Sequence, residues 1–463
     1  MISQWQLRAA FAQRLSDMYG REVPAYTTLV DVSREVNEDV LRAQGADAER
    51  LGSIGRVTAE RHGAIRVGTP EELRQVARIF GALGMYPVGF YDLREAAASA
   101  IPVVSTAFRP VDAGELARNP FRVFTSLLTP ADPRFFDPDL RARLENFLAG
   151  RELFPPELLA LADRAESAGE LPEADAERFL HLAVQAFELS PEPVDQAWYA
   201  TLERISAVAA DIGGVGSTHI NHLTPRVLDI DELYRRMTER GIEMIDTIQG
   251  PPRWKGPDVL LRQTSFRALA EPRAMRTPDG SVTSGSLRVR FGEVEARGIA
   301  LSREGRARYD RLLARVDDRA AGLSPADRAA LARRLWAEEL PDSEQGLAAA
   351  GLAHFTYHAA PDRPRDGSGP PAGLRDLLEG GWVRAEPLVY EDFLPRSAAG
   401  IFQSNLSDEG SRNSEQQGAA HDSAWLSGVL GRDVLDPFDL YEEQQNRSLA
   451  QAAGELGLDG TPG

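Results

Sequence analysis

From His62 onward the chain alternates short β-prone runs with amphipathic ones in a fixed order, and it does so twice. In RHGAIRVGTPEELRQVARIFGALG a short strand is expected first, and Thr69-Pro70-Glu71-Glu72 then carries the marks of a helix start. Thr caps, Pro fits the first helical position, and the acids suit the dipole. Leu73, Val76, Phe80 and Leu83 recur at helical spacing, with Gly84 placed to end the helix. Strands are predicted at 86–93, 103–109 and 121–128. The second copy starts with a strand at 220–228. Asp229 or Asp231 then caps a short helix bearing Leu233, Tyr234 and Met237, and Gly241 stops it. Further strands are predicted at 242–248, 260–269 and 286–297. The third strands share lettering, TAFR at 106–109 and TSFR at 264–267, at 44 and 42 residues after His62 and His222. Their position favours a repeated module over chance.

Around the two copies the periodicity is helical. Residues 1–57, with Trp5, Leu7, Phe11, Leu15 and Met18 near helical spacing, read as a packing layer. The modules span 58–130 and 216–303, and a charged helical insertion, 131–215, separates them. The remainder, 304–463, begins with helices to about 339, passes a Pro/Gly-rich loop at 359–373, and continues as the strand-rich piece WVRAEPLVYEDFLPRSAAGIFQSNL. The last stretch, from Asp439, is expected to be helical.

Composition narrows the chemistry. The chain has 463 residues, enough for a large core, and a formal charge of -18 with no long basic run, which argues against nucleic acid. Its bases are arginines apart from Lys255. Cysteine is absent, so disulfides, thiolate metal sites and cysteine nucleophiles are excluded. A metal must be held by His, Asp or Glu. The N-terminus lacks a secretory apolar core, and no stretch approaches the ~18 apolar residues needed to span a bilayer. A soluble, cytoplasmic protein is expected, without membrane partners.

The candidate chemistry lies on the repeated strands. Side chains alternate along a strand, so His62, Ala64 and Arg66 share one face and Ile65 and Val67 the other. His222 opens the second copy as His62 opens the first. His219, three residues earlier, faces the opposite way in regular β structure and suits a partner that orients a ligand. In SLRVRFGEVEARG, Leu287, Val289, Phe291, Glu293 and Glu295 share a face. Two carboxylates extending an apolar row need a reason, which a bound cation supplies and a salt bridge to Arg288 or Arg290 would also supply, and alternation does not choose between the two glutamates. Two imidazoles and one carboxylate are the ligand set of a non-haem iron(II) site with open positions. His354 and His358, in AHFTYHAA, form a rival pair without an acid at ligand spacing, and structural roles are expected for them. No G-x-S-x-G elbow, P-loop or H-E-x-x-H is present.

RHGAIRVGT around His62, HINHLTPRVLDID around His222, FGEVEARGIAL around Glu295, EDFLPRSAAGIFQSNL near 400 and GRDVLDPFDLYEEQQ together resemble the 2-oxoadipate dioxygenase/decarboxylase family, a branch of the vicinal oxygen chelate superfamily. The resemblance covers most of the chain. It implies an α+β fold in which paired βαβββ modules form a curved, partly closed mixed sheet around one metal, with helical N-terminal, inserted and C-terminal segments. It further implies Fe(2+) held by His62, His222 and a glutamate, which motif alignment puts at Glu295 with Glu293 the alternative. Arg66 would bind a substrate carboxylate and Ser397 would line the same pocket, while Arg396 leaves the preferred chain length open. The implied reaction takes 2-oxoadipate and O2 to 2-hydroxyglutarate and CO2, a step in lysine catabolism. The competing readings are another enzyme of the superfamily, such as an isomerase or lyase, and a small-molecule-binding protein. The absence of a carboxylate in FRVFTSLLT favours the open coordination of the dioxygenase.

Overall fold

In the computed structural model the described residues are all but 96–100, 289, 365–368, 406–415, 417, 459 and 461–463. The first module forms as its pattern predicts. Strand β1 (Arg61–Val67) is followed by the helix Pro70–Gly81 and then by β2 (Tyr86–Asp92), β3 (Val103–Arg109) and β4 (Arg122–Leu128). That helix opens on a capping box: Thr69 Oγ1 accepts from Glu72 N at 3.1 Å, and Glu72 Oε2 accepts from Thr69 N at 3.1 Å. Gly84 follows at φ 67°, a left-handed conformation that costs glycine least.

The second module supplies β5 (His222–Pro225), β6 (Leu261–Phe266), a hairpin of β7 (Glu271–Arg276) and β8 (Val282–Leu287), and β9 (Gly292–Arg297). One sheet runs in the order β2-β3-β4-β1-β5, with β1 parallel to β4 and antiparallel to β5. The two modules therefore meet at the two histidine-bearing strands. Strand β9 pairs with β6, and Val227 N donates to Glu295 O at 2.8 Å, linking β5 to β9. The mixed α+β architecture is the expected one.

Three expectations change. The run 242–248 forms no strand and keeps only bridges at Met244 and Gln249. It ends at Gly250, where an added Cβ would stand 2.1 Å from Leu261 O, followed by two prolines that lack N–H donors. The run 286–297 falls on two strands: Thr277-Pro278-Asp279-Gly280, with Gly280 at φ 84°, turns the chain into the β7–β8 hairpin, which ends at Leu287 opposite Glu271, and β9 begins at Gly292. After Val383–Pro387, the piece expected to be strand-rich becomes the helix Pro395–Asn405, which Pro395 opens.

Alternation sorts the first sheet into two cores. Ile65, Val67, Val104, Phe108, Val123 and Leu127 pack with the N-terminal helices Gln4–Glu22 and Pro24–Gln44. On the other face, Ala64, Ala107, Phe124 and Leu128 join a second cluster with the insertion and the C-terminal part. The N-terminal layer is also pinned by hydrogen bonds: Tyr19 Oη donates to Asn221 O and Phe291 O at 2.9 and 2.8 Å. No described helix is long and apolar enough to cross a membrane.

Candidate metal centre

Sheet register brings the site together. His222 stands opposite Ala64, Arg122 beside His62, and Ser126 beside Arg66, so these side chains share the inner face of β1, β4 and β5. From β9, Glu293 reaches both imidazoles. Its Oε1 lies 3.4 Å from His62 Nε2 and its Oε2 lies 3.6 Å from His222 Nε2. Potential ligand atoms of His62, His222 and Glu293 all fall within 4.8 Å of one another, and all three residues are buried. The two rings meet edge to face with centroids 5.3 Å apart. Among the described residues this buried His-His-Glu group is the only such cluster, and it could bind a metal ion.

The two glutamates of β9 have different neighbours. Glu295, the ligand expected from motif alignment, lies outside the cluster. Its carboxylate takes two hydrogen bonds from Arg297, at 2.6 and 2.9 Å, with Arg122 Nη1 at 3.4 Å and His62 Nδ1 at 2.7 Å. Burial would raise its pKa, but Arg297, His62 and Arg122 outweigh that and hold it at about 2. Glu293 receives an amide hydrogen bond from Gln263 and, among the described residues, has no arginine or lysine at ion-pair distance. Burial pushes its pKa up against the opposing pull of His62. One glutamate is already neutralised by protein cations; the other, facing two imidazoles, is not.

The histidines differ likewise. Burial depresses the His222 pKa far below the ordinary value, with the charges of His62 and Arg66 acting the same way, so this ring is neutral. Its Nδ1 lies 3.0 Å from Thr224 Oγ1, and Nε2 faces Glu293. His62 also loses hydration on burial, yet Glu295 and Glu293 together raise its pKa. The Phe393 ring packs edge to face on His62 at 5.0 Å and, with Phe124 behind it at 5.1 Å, closes one side of the site to water.

Arg66 is buried on the same strand face, ion-paired through Nη1 with Asp211. Asp211 also accepts from Asn221 Nδ2 at 3.0 Å, and His219 Nε2 lies 3.4 Å from its other oxygen. Desolvation lowers His219 to a pKa of about 4 despite Asp211, so it too is neutral. His219 thus belongs to the arginine cluster rather than to the metal ligands. Ser397 is buried on the first turn of Pro395–Asn405, four residues beyond Phe393. Arg396 turns outward and pairs with Asp317 at 2.5 Å. His354 is buried against Tyr441, with ring centroids 5.6 Å apart, whereas His358 is exposed on its strand. Neither joins the metal cluster.

The sequence reading missed the framework around the site. Glu60, fully buried, accepts from Arg122 and Arg226 at 2.7 and 3.0 Å, and Arg122 also pairs with Glu391. Asp211 escaped notice although it is the lone charge in the apolar helix Ala207–Gly213, which was a readable signal.

Known proteins similar to this chain point to one family. Residues 11–405 match the family described as 2-oxoadipate dioxygenase/decarboxylase. A protein of that name from Mycobacterium tuberculosis is 57% identical over 437 residues, covering 94% of this chain and 96% of its own. Another, from Pseudomonas putida, is 42% identical over 469 residues, covering 99% and 98%. The crystal structure of the hydroxyglutarate synthase in complex with 2-oxoadipate from Pseudomonas putida superimposes with a TM-score of 0.85 at 40% identity, covering 99% of both chains. By sequence and by fold, the chain belongs to the 2-oxoadipate dioxygenase/decarboxylase family.

Proposed function

We propose that this protein is an Fe(II)-dependent dioxygenase that takes 2-oxoadipate and O2 to 2-hydroxyglutarate and CO2, with His62, His222 and Glu293 holding the iron. The observation that carries the reading is Glu293. A buried carboxylate without a cation costs several kcal/mol, and here it faces two imidazole nitrogens across a gap of metal-site size. Three protein ligands leave coordination positions for substrate and oxygen. Bound ferrous iron supplies the electron chemistry that joins O2 to a 2-oxo acid.

The remaining work falls to the chain. His222 is kept neutral by burial, so its Nε2 lone pair is available without loss of a proton. Glu295 stays ionised beside His62 Nδ1 and favours the tautomer in which that nitrogen keeps its hydrogen, leaving Nε2 for the metal. Phe393 and Phe124 exclude water from one side. Four strand positions from His62 to Arg66 span about 13 Å, and the inward reach of the arginine shortens this to roughly the length of a six-carbon diacid. Arg66 then binds the far carboxylate and aims the carbon to be hydroxylated. Ser397 lines the same pocket.

Oxygen uptake by anaerobically prepared, iron-loaded protein tests the reading, measured with 2-oxoglutarate, 2-oxoadipate and 2-oxopimelate and with CO2 counted. Uptake should be fastest with 2-oxoadipate, with one CO2 per O2. Uptake without decarboxylation, or none with any 2-oxo acid, would overturn it.

A further inference from the structure

A cavity of about 650 Å³ opens between the helix Gln196–Glu203, the β7–β8 hairpin and the end of Pro395–Asn405. Tyr199, Met275 and Leu287 are among its lining residues. On the hairpin, Met275 lies opposite Thr283, Arg273 opposite Gly285 and Glu271 opposite Leu287, so Arg273 shares the face that Met275 and Leu287 turn to the cavity.

Arg273 is only 8% exposed, and its Nε is buried without an acceptor. Among the described residues no carboxylate comes within the 4.0 Å of an ion pair. The charges that act on it are Arg290, Glu271, Asp211 and Glu22. Glu271 and Glu22 both pair with Arg290, which leaves Asp211, the partner of Arg66; its helix, Ala207–Gly213, opens at Ala207, which lines the same cavity as Met275. Asp211 itself is committed to Arg66. A guanidinium buried with an unused donor is costly, and its neighbourhood is where an additional anion gains most.

We propose that Arg273 is a positioning residue that selects dicarboxylic 2-oxo acids, by taking over Asp211 when a substrate carboxylate takes Arg66. This rests on the functional reading above. A carboxylate arriving at Arg66 alone would lie against Asp211 at close range and be repelled. With Arg273 to receive Asp211, two guanidiniums are shared between two carboxylates. A 2-oxo acid lacking the far carboxylate draws no benefit from the exchange.

The test is calorimetric titration of the iron-loaded, anaerobic protein with 2-oxoadipate and with 2-oxohexanoate, which has the same chain length but one carboxylate fewer. The parent should favour 2-oxoadipate. Arg273→Met should weaken 2-oxoadipate binding about tenfold or more, the usual worth of a charged hydrogen bond, and leave 2-oxohexanoate unchanged; Arg273→Lys should recover part of the loss. In an Asp211→Asn background Arg273→Met should have little further effect, because Arg273 acts through Asp211. Equal weakening of both acids, weakening of neither, or a full effect in the Asp211→Asn background would overturn the role of Arg273 alone. A parent that binds neither acid would overturn the functional reading as well. Arg273→Lys, which keeps the charge, carries the test if the Met variant does not fold.

Discussion

Glutamine at Glu293 and at Glu295 should give opposite results, although the two residues are two apart on one strand. Glu295 is fully buried with Arg297, Arg122 and His62 around it. Glu295→Gln keeps the shape but leaves two buried guanidiniums short of their anion, a loss of about 3–5 kcal/mol. Unfolding entropy of ~2.1 cal/mol/K per residue sums to about 1 kcal/mol/K for a chain of this length, so the melting temperature should fall by about 3–5 °C. Iron affinity should weaken by about 10–100-fold, the usual effect of losing a group that orients a ligand. Glu293→Gln removes a carboxylate that burial disfavours and that, among the described residues, no arginine or lysine pairs with. The metal-free variant should therefore melt at or above the parent, yet lose stoichiometric iron binding. The assays are differential scanning calorimetry of metal-free protein and metal analysis after dialysis against buffered Fe(II). If Glu293→Gln kept its iron while Glu295→Gln lost it with an unchanged melting temperature, the ligand assignment would be reversed.

Arg66→Lys should keep a charge beside Asp211, and with it most of the stability, but lose the two-pronged grip; kcat/KM for 2-oxoadipate should drop about 10–100-fold in oxygen-uptake assays. Arg66→Ala should in addition lower the melting temperature, since it strands Asp211. Burial opposes ionisation of Glu60, but Arg226, Arg122, Arg56 and Arg297 hold its folded pKa well below 4.5. Its contribution to stability is thus present above about pH 4.5 and lost as the pH falls through the folded value, and Glu60→Gln should flatten the acid limb of a melting-temperature profile. Gly292→Ala would place a Cβ 1.8 Å from Phe266 Cε1; the forced shift of β9 against β6 should cost about 1–3 kcal/mol, and equilibrium dialysis should show weaker iron binding because Glu293 is the next residue.

Strand alternation carried the sequence reading a long way because the site is built on strands. It put His62 and Arg66 on one face, and the repeat set His222 in correspondence with His62; the β1–β5 register, with His222 opposite Ala64, puts both histidines on that face. Alternation fails where two candidates share a face, as Glu293 and Glu295 do. A physical difference between them was nonetheless in the same line of residues. Arg297 is two positions beyond Glu295 on the same face, so it is Glu295 that has a cation within reach on its own strand, whereas the residue two before Glu293 is Phe291. A buried carboxylate already satisfied by its own strand has little to gain from a metal; one flanked by an aromatic ring has much. Alternation could not supply the neighbours that lie far away in sequence. Glu60, Arg122, Arg226 and Glu391 meet only after strands from both modules and the C-terminal segment have assembled, and Asp211 reaches Arg66 from the helical insertion across 145 residues. The candidate ligands sit on the repeated strands, and the charged groups that act on them, Arg66 and Arg122 from one copy and Glu295 and Arg297 from the other, stand at unlike positions in the two copies. A repeated module therefore produces an asymmetric site, with His62 raised by two glutamates and His222 lowered by burial and two cations. That asymmetry follows from the one-sided placement of Glu295 and Arg66. It is why replacing the groups around the histidines should change metal binding as surely as replacing the histidines themselves.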